Sequence, residues 1–315
     1  NNLKVDPTLN WQKAEILKIN QNGINFKILN GDIGKLSLQK LRWAISGNKN
    51  IFDVFNIGDI IFVKKKKNIC ELKQYPKVNG GIVVLNPHTG DVKALVGGFS
   101  FKSSEFNRVT QAKRQPGSAF KPIVYASALE NGYSPNSIIL DAPFVESQGV
   151  GLKNWKPENY GKKFYGPSTL RKGIEYSRNL MTVRIAQTLG VKKILDLSTK
   201  LSIYDDIPEL LSVSLGSAET SLLNLTTAYS SFVNGGKKVS PNLISRIQDR
   251  RGKTIFKLSD KKCMGCDKFS NNSEKLPMIQ YQNERVYSKE TAYQMISILE
   301  GAVKRGTAKK LRDLK

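Results

Sequence analysis

Histidine is almost absent from this sequence of 315 residues, which contains only His88. That residue lies within residues 86–91, whose proline, glycine and aspartate are typical of a hairpin turn. A serine hydrolase with a histidine base would have to use His88. The sequence therefore disfavours a Ser-His-Asp triad, while serine chemistry with a lysine base stays open.

Cysteine is also scarce, with Cys70, Cys263 and Cys266 as its only representatives. The last two form a C-x-x-C pair without a second pair, so a four-ligand zinc site is poorly supplied. A redox motif of the thioredoxin type needs a βαβ context, and the polar surroundings favour a loop. We expect either a local disulfide in an oxidising compartment or two free thiols.

The sequence has no long apolar run, and its acidic residues are far fewer than its basic ones. No window approaches the roughly 18 apolar residues of a membrane span, and no signal-peptide pattern is present. The 50 Lys+Arg against 26 Asp+Glu give a formal charge of +24, which favours an anionic partner or a lysine-rich solvated surface. No nucleic-acid-binding signature accompanies this charge, so we expect no nucleic-acid partner. The start at Asn1-Asn2 without methionine suggests a processed or truncated product.

Two patterns of secondary structure divide the chain near residue 78. Short alternating segments punctuated by Asn, Gly and Asp predict strands at 11–19, 24–29, 33–38, 60–63 and 69–72, as in a small barrel. A hairpin is predicted at 82–85 and 92–96. Helical spacing follows at 123–129, 170–189 with an interruption at 176–179, 191–201, 221–233 and 291–303. Residues 133–167 are predicted to form a long functional loop or lid, and 261–285 a polar loop.

The Ser-x-x-Lys spacing occurs four times, and only Ser118/Lys121 introduces a helix with an apolar body. Positions i and i+3 share one helix face, so the Ser118 hydroxyl and the Lys121 amine could act together. A buried lysine loses its proton more easily and can serve as the base for a serine nucleophile. The alternative is that Ser118 is an N-cap.

A second element, Ser177-Arg178-Asn179, falls at the interruption between two helical runs. There a hydroxyl and an amide could project into a cleft, the first to relay a proton and the second to hold substrate. Other Ser-x-Asn strings occur, including Ser46/Asn48, Ser134/Asn136 and Ser270/Asn272, so spacing alone is weak, and Ser177 could also be a cap. Order and helical context single out the pair formed by Ser118 and Ser177.

Around these residues the sequence resembles class A penicillin-binding proteins of the 1A type. The resemblance implies an α+β chain with an OB-like β-barrel at 1–78 and a transpeptidase domain of the penicillin-binding and serine β-lactamase type at 79–315. The segments that carry it include Arg114-Gln115-Pro116-Gly117-Ser118-Ala119-Phe120-Lys121, Leu140-Asp141-Ala142-Pro143, Trp155-Lys156-Pro157-Glu158-Asn159-Tyr160, Tyr176-Ser177-Arg178-Asn179, Ser214-Leu215-Gly216-Ser217-Ala218-Glu219 and Phe232-Val233-Asn234-Gly235-Gly236.

The resemblance implies the D,D-transpeptidase region of a bifunctional peptidoglycan synthase. Ser118 would be the nucleophile acylated by the D-Ala-D-Ala stem peptide, Lys121 its base, Ser177 the proton relay and Asn179 a contact to the substrate amide. The implied partners are stem peptides, glycan strands and β-lactam antibiotics, with no cofactor and no metal. The implied location is the periplasmic face of the bacterial inner membrane, with the glycosyltransferase domain and the membrane anchor outside this chain.

One motif of the family is missing, because no Lys-Thr-Gly follows the helical pattern near the carboxyl end and the nearest string is Lys253-Thr254-Ile255. We therefore expect an internal fragment, incomplete at its C-terminal strands and impaired when it stands alone. Two alternatives stay open. One is a serine β-lactamase-like hydrolase, and the other is a non-catalytic fragment that binds the cell wall.

Overall fold

The computed structural model describes residues 6–29, 31–66, 69–147, 149, 151, 153–258, 261–264, 278–281 and 283–314. The chain divides into two compact units, which are described separately. The first consists of Asn1–Gly80 and Gly98–Phe106, and the second of Gly81–Gly97 and Asn107–Lys315. The domain boundary between residues 78 and 79 stays a prediction.

A five-stranded antiparallel sheet forms the first unit, in the order β3-β2-β1-β4-β5. Apolar residues alternate along its strands, and those of one face fill a core that includes Ile16, Ile24, Phe26 and Val63. The five predicted strands are confirmed. They are β1 (Gln12–Asn20), β2 (Gly23–Ile28), β3 (Ile33–Ser37), β4 (Ile60–Lys66) and β5 (Ile69–Lys73), with the short helix α1 (Leu38–Leu41) after β3.

The second unit begins with the predicted hairpin and continues as a mainly helical body. His88 lies in the hairpin turn, where its backbone N–H donates to Asn86 Oδ1 at 2.9 Å. The elements are β6 (Ile82–Leu85), β7 (Val92–Val96), β8 (Lys113–Arg114), α2 (Lys121–Glu130), β9 (Ile138–Asp141), β10 (Gly166–Thr169), α3 (Leu170–Glu175), α4 (Asn179–Leu189), α5 (Val191–Lys200), β11 (Thr220–Ser221), α6 (Leu222–Val233), β12 (Arg246–Gln248), β13 (Thr254–Lys257), β14 (Lys261–Met264), β15 (Met278–Tyr281) and α7 (Lys289–Lys304).

Helix α2 is the centre of the second unit. Its residues 121–129 are all buried, because apolar or small side chains occupy every face of the helix. It contacts α3, α4, α5 and α7, and Tyr125 and Ile123 are among its fully buried side chains. The lysine that begins this helix is therefore held in the interior of the unit.

Two loop predictions need correction. Residues 133–167 are not wholly irregular, since β9 lies in this stretch and pairs with β10 near its end. The polar loop predicted at 261–285 is wrong in part, because β14 and β15 pair antiparallel there. The strands of this hairpin read Lys-Lys-Cys-Met and Met-Ile-Gln-Tyr, and neither shows the apolar-polar alternation from which a strand is predicted. Cys266 and the side chain of Cys263 lie outside the described residues, so the state of the C-x-x-C pair stays a prediction.

Within the described residues, no helix combines the length and the apolar character that crossing a membrane requires.

Candidate active site

Ser118 lies inside a single 3-10 turn, Gly117–Phe120, that runs directly into α2. Its side chain is exposed, whereas Phe120 two residues later is fully buried. The cap positions of the turn and of α2 are Pro116 and Phe120, and neither makes a side-chain capping bond. Ser118 therefore does not act as an N-cap, and its hydroxyl is free of that structural role.

Contacts from distant segments fix the turn that carries Ser118. The backbone N–H of Gly117 donates to Gly216 O at 3.1 Å, and the Tyr229 hydroxyl donates to Ala119 O at 2.6 Å. Strand β8, just before the turn, pairs with β11. Phe120 packs against the ring of Tyr204, with centroids 5.2 Å apart. These contacts hold an exposed serine on a rigid support.

Lys121 is 1% exposed and is the buried cation of the site. Its Nζ donates to Ser177 O at 2.7 Å, to Ser177 Oγ at 3.0 Å and to Asn179 Oδ1 at 2.6 Å. Burial lowers the pKa of the Lys121 amine to about 8, because the charged form loses its hydration. Among the described residues, no hydrogen bond joins Lys121 to Ser118. The Lys121 amine is thus bonded to Ser177 and Asn179, and the Ser-x-x-Lys spacing alone could not show these contacts.

The interruption predicted at 176–179 is confirmed as the break between α3 and α4. Ser177 adopts the left-handed backbone conformation, with φ 54°. Its N–H donates to Ile174 O at 3.0 Å, and that of Arg178 donates to Gly173 O at 2.8 Å, which closes the end of α3. The cap residue of α4 is Arg178, so Ser177 is not a helix cap. Its hydroxyl is instead directed to the lysine.

Asn179 is held by residues of the long segment between α2 and α3. Its side-chain amide donates to Glu158 O at 2.7 Å, and its backbone N–H donates to Asn159 Oδ1 at 2.9 Å. Asn159 is itself buried and donates to Asp141 Oδ1 at 2.8 Å. The amide oxygen of Asn179 faces Lys121 because both of these neighbours fix its orientation.

A cavity of about 510 Å³ brings Ser118, Ser177 and Asn179 together. Lys121 joins these residues through its hydrogen bonds to Ser177 and Asn179. The cavity is also lined by Asn159, Tyr160, Gly161, Tyr165, Tyr176, Arg178 and Thr307. The arrangement supplies a free hydroxyl, a buried amine of lowered pKa and a second hydroxyl on that amine. These are the components of nucleophilic acyl transfer with a lysine base.

Comparison with known families decides the class of the protein. The family model of the penicillin binding protein transpeptidase domain matches residues 80–314. The chain belongs to this family. The model of the penicillin-binding protein OB-like domain matches residues 3–78. The resemblance noted in the sequence is confirmed, as is the α+β fold with an OB-like domain and a domain of the penicillin-binding transpeptidase family.

Penicillin-binding proteins 1A are similar to this chain over nearly its whole length. That of Rickettsia conorii is 41% identical over 309 residues, covering 96% of this chain and 39% of the relative. That of Pseudomonas aeruginosa is 31% identical over 344 residues, covering 96% and 42%. The crystal structure of Penicillin-Binding Protein 1A from Haemophilus influenzae superposes with a TM-score of 0.81 at 30% identity, covering 97% of this chain and 48% of that one. The chain thus spans about 39% of the length of its Rickettsia relative.

The structure adds residues that the sequence analysis assigned no role. Asn159 lies in the string Trp155–Tyr160, which carried the family resemblance but suggested no function for any single position. Arg178 is the middle residue of Ser-x-Asn, a position to which the motif gives no role, and Thr307 follows the last helix without a motif of its own. Since these residues reach the cavity only through tertiary packing, spacing could not reveal them. The catalytic roles of Ser118, Lys121, Ser177 and Asn179 stay predictions.

Proposed function

We propose that the chain is the D,D-transpeptidase region of a peptidoglycan synthase, with Ser118 as its nucleophile. The observation that carries the proposal is the contact of the buried Lys121 amine with Ser177 and Asn179, at the cavity that Ser118 lines. Burial holds the pKa of that amine at about 8, so roughly a tenth of the amine is neutral at pH 7 and more of it at higher pH. A neutral amine can accept the proton that the serine must lose.

The first half-reaction forms an acyl-enzyme. Ser118 Oγ attacks the carbonyl carbon between the two D-Ala residues, and its proton passes to Lys121, directly or through the Ser177 hydroxyl. The peptide C–N bond breaks, and the protonated lysine returns the proton to the departing D-Ala amine. Asn179 contacts the substrate amide and keeps the carbonyl in place. The difficult displacement is thereby divided into two easier steps.

The second half-reaction transfers the acyl group to a neighbouring stem peptide. An amine of that peptide attacks the ester carbonyl, loses a proton to the base and releases Ser118 with its hydroxyl restored. Because the amine replaces water as the acceptor, a cross-link forms. A β-lactam would acylate Ser118 in the same way, and we propose these antibiotics, stem peptides and glycan strands as partners.

The setting of this activity is also part of the proposal. The formal charge of +24 suits a glycan-peptide polymer that carries anionic groups. We place the chain at the periplasmic face of the bacterial inner membrane, as part of a bifunctional synthase. We propose that this synthase also has a glycosyltransferase domain and a membrane anchor.

Labelling with a fluorescent penicillin tests the proposal, both in the chain as given and in the full-length gene product that contains it. We expect a stable covalent adduct that Ser118→Ala abolishes. The matched control is Ser37→Ala, since Ser37 and Lys40 form another Ser-x-x-Lys pair in the first unit. Rapid hydrolysis of the drug would point to a β-lactamase. Binding of peptidoglycan without any adduct in either protein would sink the enzymatic proposal and favour a wall-binding fragment.

A further inference from the structure

Arg178 places a stacked guanidinium at the edge of the candidate active site. Its Cζ atom lies 3.2 Å from the ring centroid of Tyr165 and 5.5 Å from that of Tyr176. All three residues line the cavity that contains Ser118. A guanidinium over a ring face is attracted through its charge, which leaves N–H groups available to bind a carboxylate bidentately.

Hydrogen bonds fix the backbone of Arg178, whereas its guanidinium has no acidic partner among the described residues. Its N–H donates to Gly173 O, and its carbonyl accepts from Thr182 Oγ1 at 2.7 Å. Within the described part of the chain, no hydrogen bond or ion pair engages its guanidinium. Arg184 and Arg305 in the same unit do have such partners, namely backbone carbonyls for the first and Glu175 for the second.

The loop that contains Tyr165 adds two further cations. Lys162 and Lys163 lie between the cavity residues Gly161 and Tyr165, and both are exposed. Neither takes part in an ion pair with a described residue. A planar cation over an aromatic ring, with two lysines in the loop that contains that ring, favours an anion of planar shape, which in a peptide is a carboxylate.

We infer that Arg178 is a specificity residue that binds a carboxylate of the peptide substrate. The inference rests on the proposed function, because it concerns the substrate of the same cavity. Two carboxylates could supply the ligand. One is the terminal carboxylate of the D-Ala-D-Ala end, and the other is a side carboxylate earlier in the peptide. Both present the same planar oxygen pair to the guanidinium.

Three competitor peptides distinguish these sources. Each ends in D-Ala-D-Ala, and each competes with fluorescent penicillin for Ser118 in the full-length gene product. The first carries a side carboxylate, the second carries the matching carboxamide, and the third is the carboxamide peptide with its terminal carboxylate also amidated. They are tested on the unaltered protein and on Arg178→Gln, Arg178→Lys and Arg246→Gln. Arg246 is an exposed arginine that bonds to Thr254, so its variant removes the same charge away from the cavity.

If the side carboxylate is bound, Arg178→Gln weakens the first peptide about tenfold and leaves the other two unchanged, since a charge-assisted pair is lost. If the terminal carboxylate is bound, the first and second peptides weaken together and the amidated one does not. For Arg178→Lys, the affinity of the affected peptides should lie between those of the unaltered protein and of Arg178→Gln, because lysine keeps the charge but lacks the bidentate N–H geometry. Arg246→Gln should match the unaltered protein throughout.

Two results would overturn the inference. Unchanged competition by every peptide in Arg178→Gln would show that the guanidinium contacts no substrate carboxylate. An equal loss for all three peptides, together with slower penicillin labelling, would show a purely structural role. Failure of the proposed function looks different, since the unaltered protein would then form no adduct at Ser118 before any peptide is added, and both ideas would fall.

Discussion

Glu175 accepts hydrogen bonds from Arg305 on both of its carboxylate oxygens, although the two residues are 130 positions apart. The distance from Arg305 Nε to Glu175 Oε2 is 2.8 Å, and Glu175 is 1% exposed. A Cβ atom at Gly306 would overlap the Glu175 carbonyl oxygen, so the close approach requires glycine there. That oxygen accepts from Thr307 N at 3.1 Å, and Thr307 lines the cavity. The pair thus connects the end of α7 to the turn that carries Ser177.

Replacing Arg305 should therefore destabilise the protein and slow acylation. Arg305→Met removes both hydrogen bonds of the bidentate pair and leaves the buried Glu175 carboxylate with only Arg171, whose Nη1 lies 3.9 Å from Oε1, as a cationic partner. That loss should cost more than losing a pair between two exposed side chains. The matched control is Lys304→Met, because Lys304 pairs with Glu300 on the exposed face of the same helix. We expect a clear fall in melting temperature and in the labelling rate of Ser118 only for Arg305→Met. Equal melting temperatures for the two variants would contradict a stabilising role of the pair between Glu175 and Arg305.

Acylation should depend on pH through Lys121. Burial lowers the pKa of its amine from the ordinary 10.5 to about 8, so most of the amine is protonated below pH 8, and only the neutral fraction can accept the Ser118 proton. The second-order rate of penicillin labelling should rise about tenfold per pH unit below pH 8 and level off above it. Measurement from pH 6 to 9.5 checks this, with Lys121→Met as the inactive control. A rate independent of pH would argue against a lysine base.

The same shift predicts how stability changes with pH. Between pH 8 and 10.5 the folded protein has released the Lys121 proton while the unfolded chain still holds it. The unfolded state then binds more protons, so the free energy of unfolding should increase as the pH rises through this window. Lys121→Met should lack this increase. Urea titrations of both proteins at pH 7.5 and 10 compare them, and parallel curves would contradict the assignment.

Local patterns predicted much of the fold, and long-range contacts explain what they missed. The strands of the first unit follow from alternation between Asn and Gly turns, and the break near Ser177 follows from polar residues that interrupt an apolar repeat. No local pattern predicts the contact of Gly117 with Gly216. A glycine that packs closely against a distant backbone segment looks the same in the sequence as a glycine in a solvent-exposed turn. Likewise, the spacing of Ser118 and Lys121 predicted a shared helix face, while the bonds that hold Lys121 come from Ser177 and Asn179.

Because Ser177 has a left-handed backbone, two substitutions can distinguish the chemical role of its hydroxyl from its effect on stability. Ser177→Ala and Ser177→Gly both remove the hydroxyl on Lys121, so both should lose most of the acylation rate if the hydroxyl relays a proton. Glycine adopts φ 54° without the penalty of roughly 1 kcal/mol that other residues incur, so Ser177→Gly should be the more stable of the two. Ser202 has φ 57° and is exposed outside the cavity, so Ser202→Gly should gain stability without changing labelling. Retained acylation in Ser177→Gly would exclude the relay.

Gly216 provides the sharpest test of how the turn carrying Ser118 is held. It adopts φ 76°, and an added Cβ would overlap the backbone N and O of Gly117, whose N–H donates to Gly216 O. Gly216→Ala must therefore move one backbone segment away from the other, since no flexible side chain can yield. We expect a loss of Ser118 labelling of at least about tenfold, because small displacements of a nucleophile are costly.

Gly252→Ala is the control for this substitution. Gly252 has φ 82° in the turn between β12 and β13, and nothing lies within 4 Å of its added Cβ. Both variants carry the same left-handed penalty of roughly 1 kcal/mol, so any difference between them comes from the contact with Gly117. Labelling that falls equally in the two variants would mean that backbone strain alone slows the reaction. If labelling falls only in Gly216→Ala, the position of Ser118 depends on the backbone contact between Gly117 and Gly216, which are 99 residues apart in the sequence.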